Sequence, residues 1–335
     1  MAIQCFGCDL GTNTIKVYSR ETDEIFSQKN MVAIEEKKGM IAYGDEAYDM
    51  YEKAPANIDV LFPMSFGTVA SITYMQEFLR AFLGANVKGP LKGSEFYMAL
   101  PTDVQDRVFS TLIQGMGLKA KYVRMVDKPV AAGLGLGLDV TKAQGVMLVD
   151  VGADTTEISI LSLGGTVTSK LIKMGGNKMD EAIAGAIRRE FGYFIGGKTA
   201  ELLKRELGYV PGSSDKKMEI CGRNMALGLP AILEVGGDFI AESIEEQLKT
   251  IIDSIKVILE RTPPELGVDI IRNGIFLTGG VANLTGLDEL IEKSTNIRVN
   301  QVEHPEECVA RGLSRIINER EFRDLTFITK EQAYN

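Results

Sequence analysis

Short apolar runs alternate with amphipathic stretches along the 335 residues of this chain. Strand-like runs fall at 2–10, 14–19, 95–100, 146–151, 157–163, 166–173 and 274–278. Helical spacing appears between them. Glu242–Glu260 puts Ile244, Leu248, Ile251, Ile252, Ile255, Ile258 and Leu259 on one face, and Pro263-Pro264 blocks continuation. Met179–Phe191 spaces Ile183, Ile187 and Phe191 four apart. Gly84–Gly93 and Gly208–Asp215 read as loops. The mixture predicts an α/β protein.

A weak internal echo accompanies this pattern. Asp9-Leu10-Gly11-Thr12 ends one strand, and Asp150-Val151-Gly152-Ala153-Asp154-Thr155-Thr156 ends another. Each is followed by a second strand after a short turn. Two similar halves, each offering a hairpin turn, could grip a nucleotide.

Composition narrows the function classes. Hydrophobic residues make up 45% and charged residues 25%, as in ordinary globular proteins, and the length suits two sizeable domains or one large α/β body. The net charge of −9 argues against nucleic acid as a partner. No run is long enough to cross a bilayer, and the N-terminus lacks the basic-then-apolar pattern of a secretory leader, so a cytoplasmic location is expected. The single histidine, His304, excludes multi-histidine metal sites and argues against a Ser-His-Asp triad. Four cysteines do not make a disulfide framework. Cys5 and Cys8 spell C-x-x-C, but on a strand they point to opposite faces, so they are expected to be core thiols without shared chemistry.

Four glycine turns carry the candidate chemistry. In the first, Gly11 lets backbone approach a phosphate, Thr12 can donate to it, Asp9 is placed to orient Mg²⁺, and Lys16 can reach back as a point charge. In the second, Asp150 supplies the acid, Gly152 the close approach, and the Asp154-Thr155-Thr156 stretch the hydroxyls for a terminal phosphate. The third is Gly175-Gly176-Asn177 and the fourth Leu277–Asn283, each leading to a helix. Any one alone reads as a tight turn; four in this order, with paired acids, are far more specific.

These elements resemble the actin, sugar-kinase and heat-shock-chaperone ATPase superfamily. Within it the chain is similar to the MreB family of bacterial actins. The likeness rests on "DLGTNT", "LFPMSFGTVAS", "VDKPVAAGLGLGL", "VDVGADTTEISILSLGG", "MGGNKMDEAI", "CGRNMALGLP", "ERTPPELGVDI", "FLTGGVANLTGLDELI" and "CVARGL". The resemblance implies an actin-like ATPase fold with two related domains, or four subdomains, around a nucleotide cleft. Their expected bounds are 1–30, 60–142 and 310–335 for IA, 31–59 for IB, 143–178 and 245–309 for IIA, and 179–244 for IIB. It implies ATP and Mg²⁺ as cofactors, with Asp9 and Asp150 serving the metal. Asp9, Gly11, Thr12 and Asn13 match the first phosphate loop; Asp150, Gly152, Thr155 and Thr156 match the second. Gly175, Gly176 and Asn177 match a GGD-type connecting loop. Gly279 and Gly280 match the adenosine loop, and Glu201 and Lys204 match residues lining the adenine and ribose pocket. The implied function is a filament-forming ATPase of cell shape and cell-wall organisation. Its implied partners are copies of itself, the inner membrane surface and membrane-bound cell-wall machinery.

The departures are specific. The family's acid before the proline of "EEP" positions the attacking water. Here Lys128 stands in its place, with Asp127 one residue earlier. A charged lysine accepts no proton. Asp154 replaces a glycine of "DIGGGTTE", and Val281 replaces a third glycine of the adenosine loop. The first loop is one residue shorter than usual, closer to actin and ParM-type filaments, whose lysine contacts phosphate as Lys16 would. Asp127, Lys128, Asp150 and Thr155 are the candidates for the hydrolytic step, which is expected to be slow or altered. A non-hydrolysing scaffold or adaptor and a monomeric small-molecule kinase are the alternatives; a chaperone would need a further peptide-binding domain. The chain leaves little room for an N-terminal amphipathic helix, so the membrane candidate is the 84–94 loop, with Val87, Pro90 and Leu91 beside Lys88 and Lys92.

Overall fold

Strand Cys5–Leu10 is buried along its whole length, which explains its unbroken apolar run: a central strand is covered on both faces. Strand Val146–Val151 is buried in the same way. In the computed structural model, which describes residues 3–208 and 215–329, these two strands are the centres of two compact units. One unit comprises 1–144, 161–171 and 306–335; the other comprises 145–160 and 172–305.

In the first unit the strands are ordered Glu24–Lys29, Thr14–Ser19, Cys5–Leu10, Glu95–Leu100, Tyr122–Asp127, with Phe327–Ile328 at the edge. Cys5–Leu10 pairs antiparallel with Thr14–Ser19 and parallel with Glu95–Leu100. The other large sheet runs Gly165–Ile172, Thr156–Ser162, Val146–Val151, Ile275–Thr278, Val299–Asn300. The outer end of its Thr156–Ile172 hairpin, residues 161–171, groups with the first unit. The first five strands of one sheet and the five of the other follow the same order, each with a hairpin and then strands arriving from much later in the chain. The internal echo is therefore a repeated topology. A smaller three-stranded sheet accompanies each: Gly39–Tyr43, Val32–Glu35 and Ile58–Leu61 in the first unit; Tyr193–Phe194, Lys217–Asn224 and Pro230–Gly236 in the second.

Several expected boundaries shift. Helix Gly176–Phe191 starts three residues before Met179 and ends on left-handed Gly192. The 242–260 helix is two: Gly237–Ser243 closes with Ile244 N–H on Ala241 O, and Glu245–Glu260 follows. Pro264 opens the next helix, Pro264–Asn273, where its missing N–H costs nothing. Gly84 lies inside helix Ile72–Asn86. The loop after it turns its aliphatics inward: Val87 is buried, and Leu91 packs against the core around Phe78, Leu79 and Phe96. Most of the Gly208–Asp215 loop lies outside the described residues. No described helix is long and apolar enough to cross a membrane.

In the first unit, helix Lys128–Gly135 meets helix Cys308–Asn318 backbone to backbone. A Cβ on Gly135 would sit 1.8 Å from Cys308 O, and one on Gly312 1.7 Å from Ala131 O. The same second helix lies over Gly7, where a Cβ would stand 2.7 Å from Leu313 Cβ.

The cysteines are free thiols, with Cys5, Cys8 and Cys308 buried and Cys221 exposed. Burial pushes the Cys5 thiol up to about 11 and raises that of Cys8 as well. A raised thiol holds less thiolate at a given pH and so reacts more slowly. At pH 8 the native chain should take one alkyl group, on Cys221, and four once unfolded; mass spectrometry after iodoacetamide treatment reads the count. Rapid native labelling of both Cys5 and Cys8 would contradict this placement.

Candidate functional site

In the first unit, the turn between Cys5–Leu10 and Thr14–Ser19 carries Gly11, Thr12 and Asn13. The hairpin register sets Asp9 directly opposite Lys16, so the acid and the lysine leave the sheet on the same face, both largely buried. Lys16 thus has an acidic cross-strand neighbour that the sequence reading did not assign. A Cβ on Gly11 would stand 2.7 Å from Thr14 O, which makes the turn too tight for a side chain there. The Asn13 side chain accepts from Lys29 Nζ at 3.4 Å.

Asp127 ends strand Tyr122–Asp127 and precedes helix Lys128–Gly135. It lines a cavity of about 320 Å³ with Pro101, Thr102, Asp103, Thr166 and Ser169 among its neighbours. Burial raises the Asp127 carboxyl above the usual carboxylate range, while the hydrogen bond from Thr166 Oγ1, 3.3 Å from Oδ2, works the other way. Lys128 occupies the first helical position, where a cation opposes the helix dipole. That position is unfavourable for helix stability.

The second unit gathers the remaining candidates. Asp150 lies near the C-terminal end of Val146–Val151, opposite Thr278 in the parallel register. The Gly152–Thr156 turn closes with Gly152 N–H on Thr155 O at 2.9 Å. It is then joined to the 174–177 loop. Gly176 N–H donates to Gly152 O at 3.0 Å, and Asn177 N–H to Ala153 O at 2.8 Å. Thr156 Oγ1 donates to Met174 O at 2.7 Å, and Asn177 Nδ2 to Asp154 Oδ1 at 2.7 Å. A Cβ on Gly175 would stand 2.6 Å from both Gly152 O and Ala153 O, so the two loops touch where Gly175 has no side chain.

Three of the candidate residues have partners within the fold. Thr156 is fully buried with its hydroxyl on Met174 O, so it braces the loops instead of presenting that donor to a phosphate. Lys204 is buried, with Nζ 2.9 Å from Gly176 O and 2.8 Å from Asp180 Oδ1; it ties helix Gly197–Leu207 to the start of helix Gly176–Phe191. Val281 belongs to the hydrophobic core of the second unit. Glu201 lies one helical turn before Lys204 and is half-buried. Gly279, with φ +87°, passes so close to the Asp150 strand that a Cβ would be 2.3 Å from Asp150 Oδ1; Gly280 is open to solvent.

The Asp154–Asn177 bond joins the departure at Asp154 to the residue that matches the GGD-type loop, so the contact between the two loops carries a carboxylate–amide hydrogen bond.

The MreB/Mbl protein family model matches residues 3–324. The cell shape-determining protein Mbl of Bacillus subtilis is 34% identical over 312 residues, covering 91% of this chain and 93% of that protein. The cell shape-determining protein MreB of Escherichia coli is 35% identical over 320 residues, covering 91% and 90%. The crystal structure of MreB5 of Spiroplasma citri bound to AMPPNP superposes with a TM-score of 0.91 at 28% identity, covering 97% of this chain and 98% of that one. A subunit of the MamK double helical filament, at 22% identity and a TM-score of 0.80, shares the fold.

Proposed function

The chain belongs to the MreB/Mbl family, and on that premise we infer that it is a nucleotide-dependent, self-assembling bacterial actin of cell shape and cell-wall organisation. The observation that carries this is the family match across residues 3–324, on a fold whose two large sheets repeat one strand order. The S. citri neighbour was crystallised with AMPPNP and with ADP, which supports nucleotide binding by this chain.

The residues fit ATP with Mg²⁺. Asp9 and Asp150 offer the hard oxygen donors that Mg²⁺ prefers. Among the described residues no group of three or more His, Cys, Asp or Glu side chains forms a metal site of its own. Mg²⁺ would then enter with the nucleotide's phosphates and water. Gly11, Thr12, Asn13, Lys16, Gly152, Asp154 and Thr155 are the candidates to serve the phosphates. The bound nucleotide would supply the phosphoanhydride to be hydrolysed. The four-subdomain division belongs to the same proposal. So does attachment to the inner membrane surface and its cell-wall machinery, to which the 84–94 loop offers Lys88, Pro90 and Lys92 at the surface, with Val87 buried.

Sedimentation with ATP, with ADP and without nucleotide, followed by electron microscopy of the pellet, tests the assembly. Filaments are expected with ATP. A supernatant monomer in all three conditions would favour the small-molecule kinase.

Hydrolysis should be slow. Lys128 cannot accept a proton from water while charged, and the raised Asp127 carboxyl is the acid left nearby in sequence. Lys128→Glu should raise phosphate release by about a hundredfold, the low end of the effect of a positioned general base. Asp127→Ala should abolish what the wild type retains. Ordinary turnover in the wild type, unaltered by Lys128→Glu, would remove the slow-hydrolysis reading. Complete absence of turnover, with filaments intact, would identify the non-hydrolysing scaffold.

A further inference from the structure

Asn30 carries no sequence signature, yet it holds the first glycine turn from both its backbone and its side chain. It lies between strands Glu24–Lys29 and Val32–Glu35 and is completely buried. Its backbone N–H donates to Asn13 O at 2.9 Å, and its side-chain Nδ2 donates to Gly11 O at 2.7 Å. The orientation of the amide follows from its partner, because a carbonyl accepts and only Nδ2 can donate to it. The other amide atom, Oδ1, is buried and accepts no hydrogen bond among the described residues. An orphaned buried acceptor lowers stability. Asn30 is therefore poorly explained as a stabilising core residue.

Its two contacts have a directional consequence. In a trans peptide the C=O and the following N–H lie in one plane and point opposite ways. Pinning Gly11 O fixes the N–H of Thr12, and pinning Asn13 O fixes the N–H of Thr14, each directed away from Asn30. Gly11 itself has no Cβ to hold it, so the turn needs an external restraint. The next residues carry that restraint onward. Met31 O accepts from Gly44 N–H at 2.8 Å, and Lys29 N–H donates to Asp45 Oδ1 at 3.2 Å, at the start of helix Gly44–Met50.

We propose that Asn30 is the positioning residue of the first phosphate loop. It orients the loop's backbone donors toward the nucleotide's phosphates and links them to helix Gly44–Met50 and the small sheet that contains Val32–Glu35. The proposal rests on the nucleotide-binding reading above. Asn30 touches no ligand itself; it acts through Gly11 and Asn13.

The test uses the full chain with Asn30→Asp and Asn30→Ala, titrated with ATP by calorimetry and with AMP by NMR. The aspartate sets a carboxylate oxygen against Gly11 O, and the alanine only removes the donor. ATP affinity should fall about tenfold or more in Asn30→Asp and less in Asn30→Ala. AMP affinity should change less than twofold, so that the ATP-to-AMP ratio drops in the same order. A loosened fold would weaken both ligands together. Hydrogen exchange on the wild type gives an arm that needs no variant: ATP should slow exchange at the amides of Thr12 and Asn30. An unchanged ATP-to-AMP ratio in both variants, or no slowing at these amides when ATP is bound, overturns the role of Asn30 alone. Failure of the wild type to bind ATP overturns this proposal and the nucleotide reading together.

Discussion

Gly279→Ala should abolish nucleotide binding, with ATP affinity falling at least about a hundredfold, or about 3 kcal/mol. Two effects combine at this position. The backbone holds φ +87° and ψ 166°, a region occupied essentially by glycine alone. The added Cβ would also stand 2.3 Å from Asp150 Oδ1 and 2.4 Å from Val151 O. Relief requires Gly279 to leave the Asp150 strand or the Asp150 carboxylate to rotate away. Either movement disturbs the acid assigned to the metal and the loop assigned to adenosine. The direct measurement is the thermal shift given by saturating ATP, which reports ligand affinity through mass action. The wild type should be stabilised by ATP, and Gly279→Ala should not. Gly267→Ala, in an exposed helix where a Cβ meets nothing within 4 Å, is the control and should keep the shift. A normal ATP shift in Gly279→Ala would show that the Asp150–Gly279 approach does not matter to the ligand.

Gly312→Ala should cost the most stability of any methyl-sized change considered. Its Cβ would be 1.7 Å from Ala131 O and 2.5 Å from Ala131 C, and both atoms are backbone of a helix that is itself wedged by Gly135. No rotamer change relieves a clash with backbone, so the two helices must separate. Overpacking of a tight core costs about 1–3 kcal/mol, and a backbone-limited site belongs at the upper end. For a unit of this size that loss lowers the melting temperature by roughly 6–12 °C. Circular dichroism melts of Gly312→Ala against wild type measure it. An unchanged melting temperature would mean the two helices can slide apart freely.

Much of the fold was legible because its central strands are short, apolar and bounded by glycine, and because helices such as Gly176–Phe191 keep a clear apolar face. The errors arose where two local signals overlap. The apolar spacing of 242–260 continues through Ile244, whose backbone closes one helix before the next begins, so periodicity alone could not find the break. Gly84 looked like a loop residue, but one glycine is tolerated near a helix end.

The candidate site was legible wherever chemistry depends on a residue type in a turn: Asp9, Gly11, Asp150, Gly175 and Gly279 all lie at strand ends or loop contacts. It was illegible where the decisive partner is distant in sequence. Nothing in "QKNMVAI" announces that Asn30 reaches Gly11, and nothing around Lys204 announces Asp180. Thr156 and Val281 read as candidate ligand residues from their place in the glycine turns, yet one braces the loops and the other fills the core. Asp154 reads as a departure from the pattern and Asn177 as part of the GGD-type loop, and neither motif announces the 2.7 Å hydrogen bond that joins them.

The glycine seams along helix Cys308–Asn318 have a further consequence. Gly7 lies two residues before Asp9, and Gly135 lies seven after Lys128; Gly135 meets the backbone of this one helix, and Gly7 lies against its Leu313 and Ile317 side chains. In a machinist's terms, the acid of the first turn and the lysine beside Asp127 are referenced to a common datum. Within the first unit, any displacement of that helix is therefore transmitted to both groups at once.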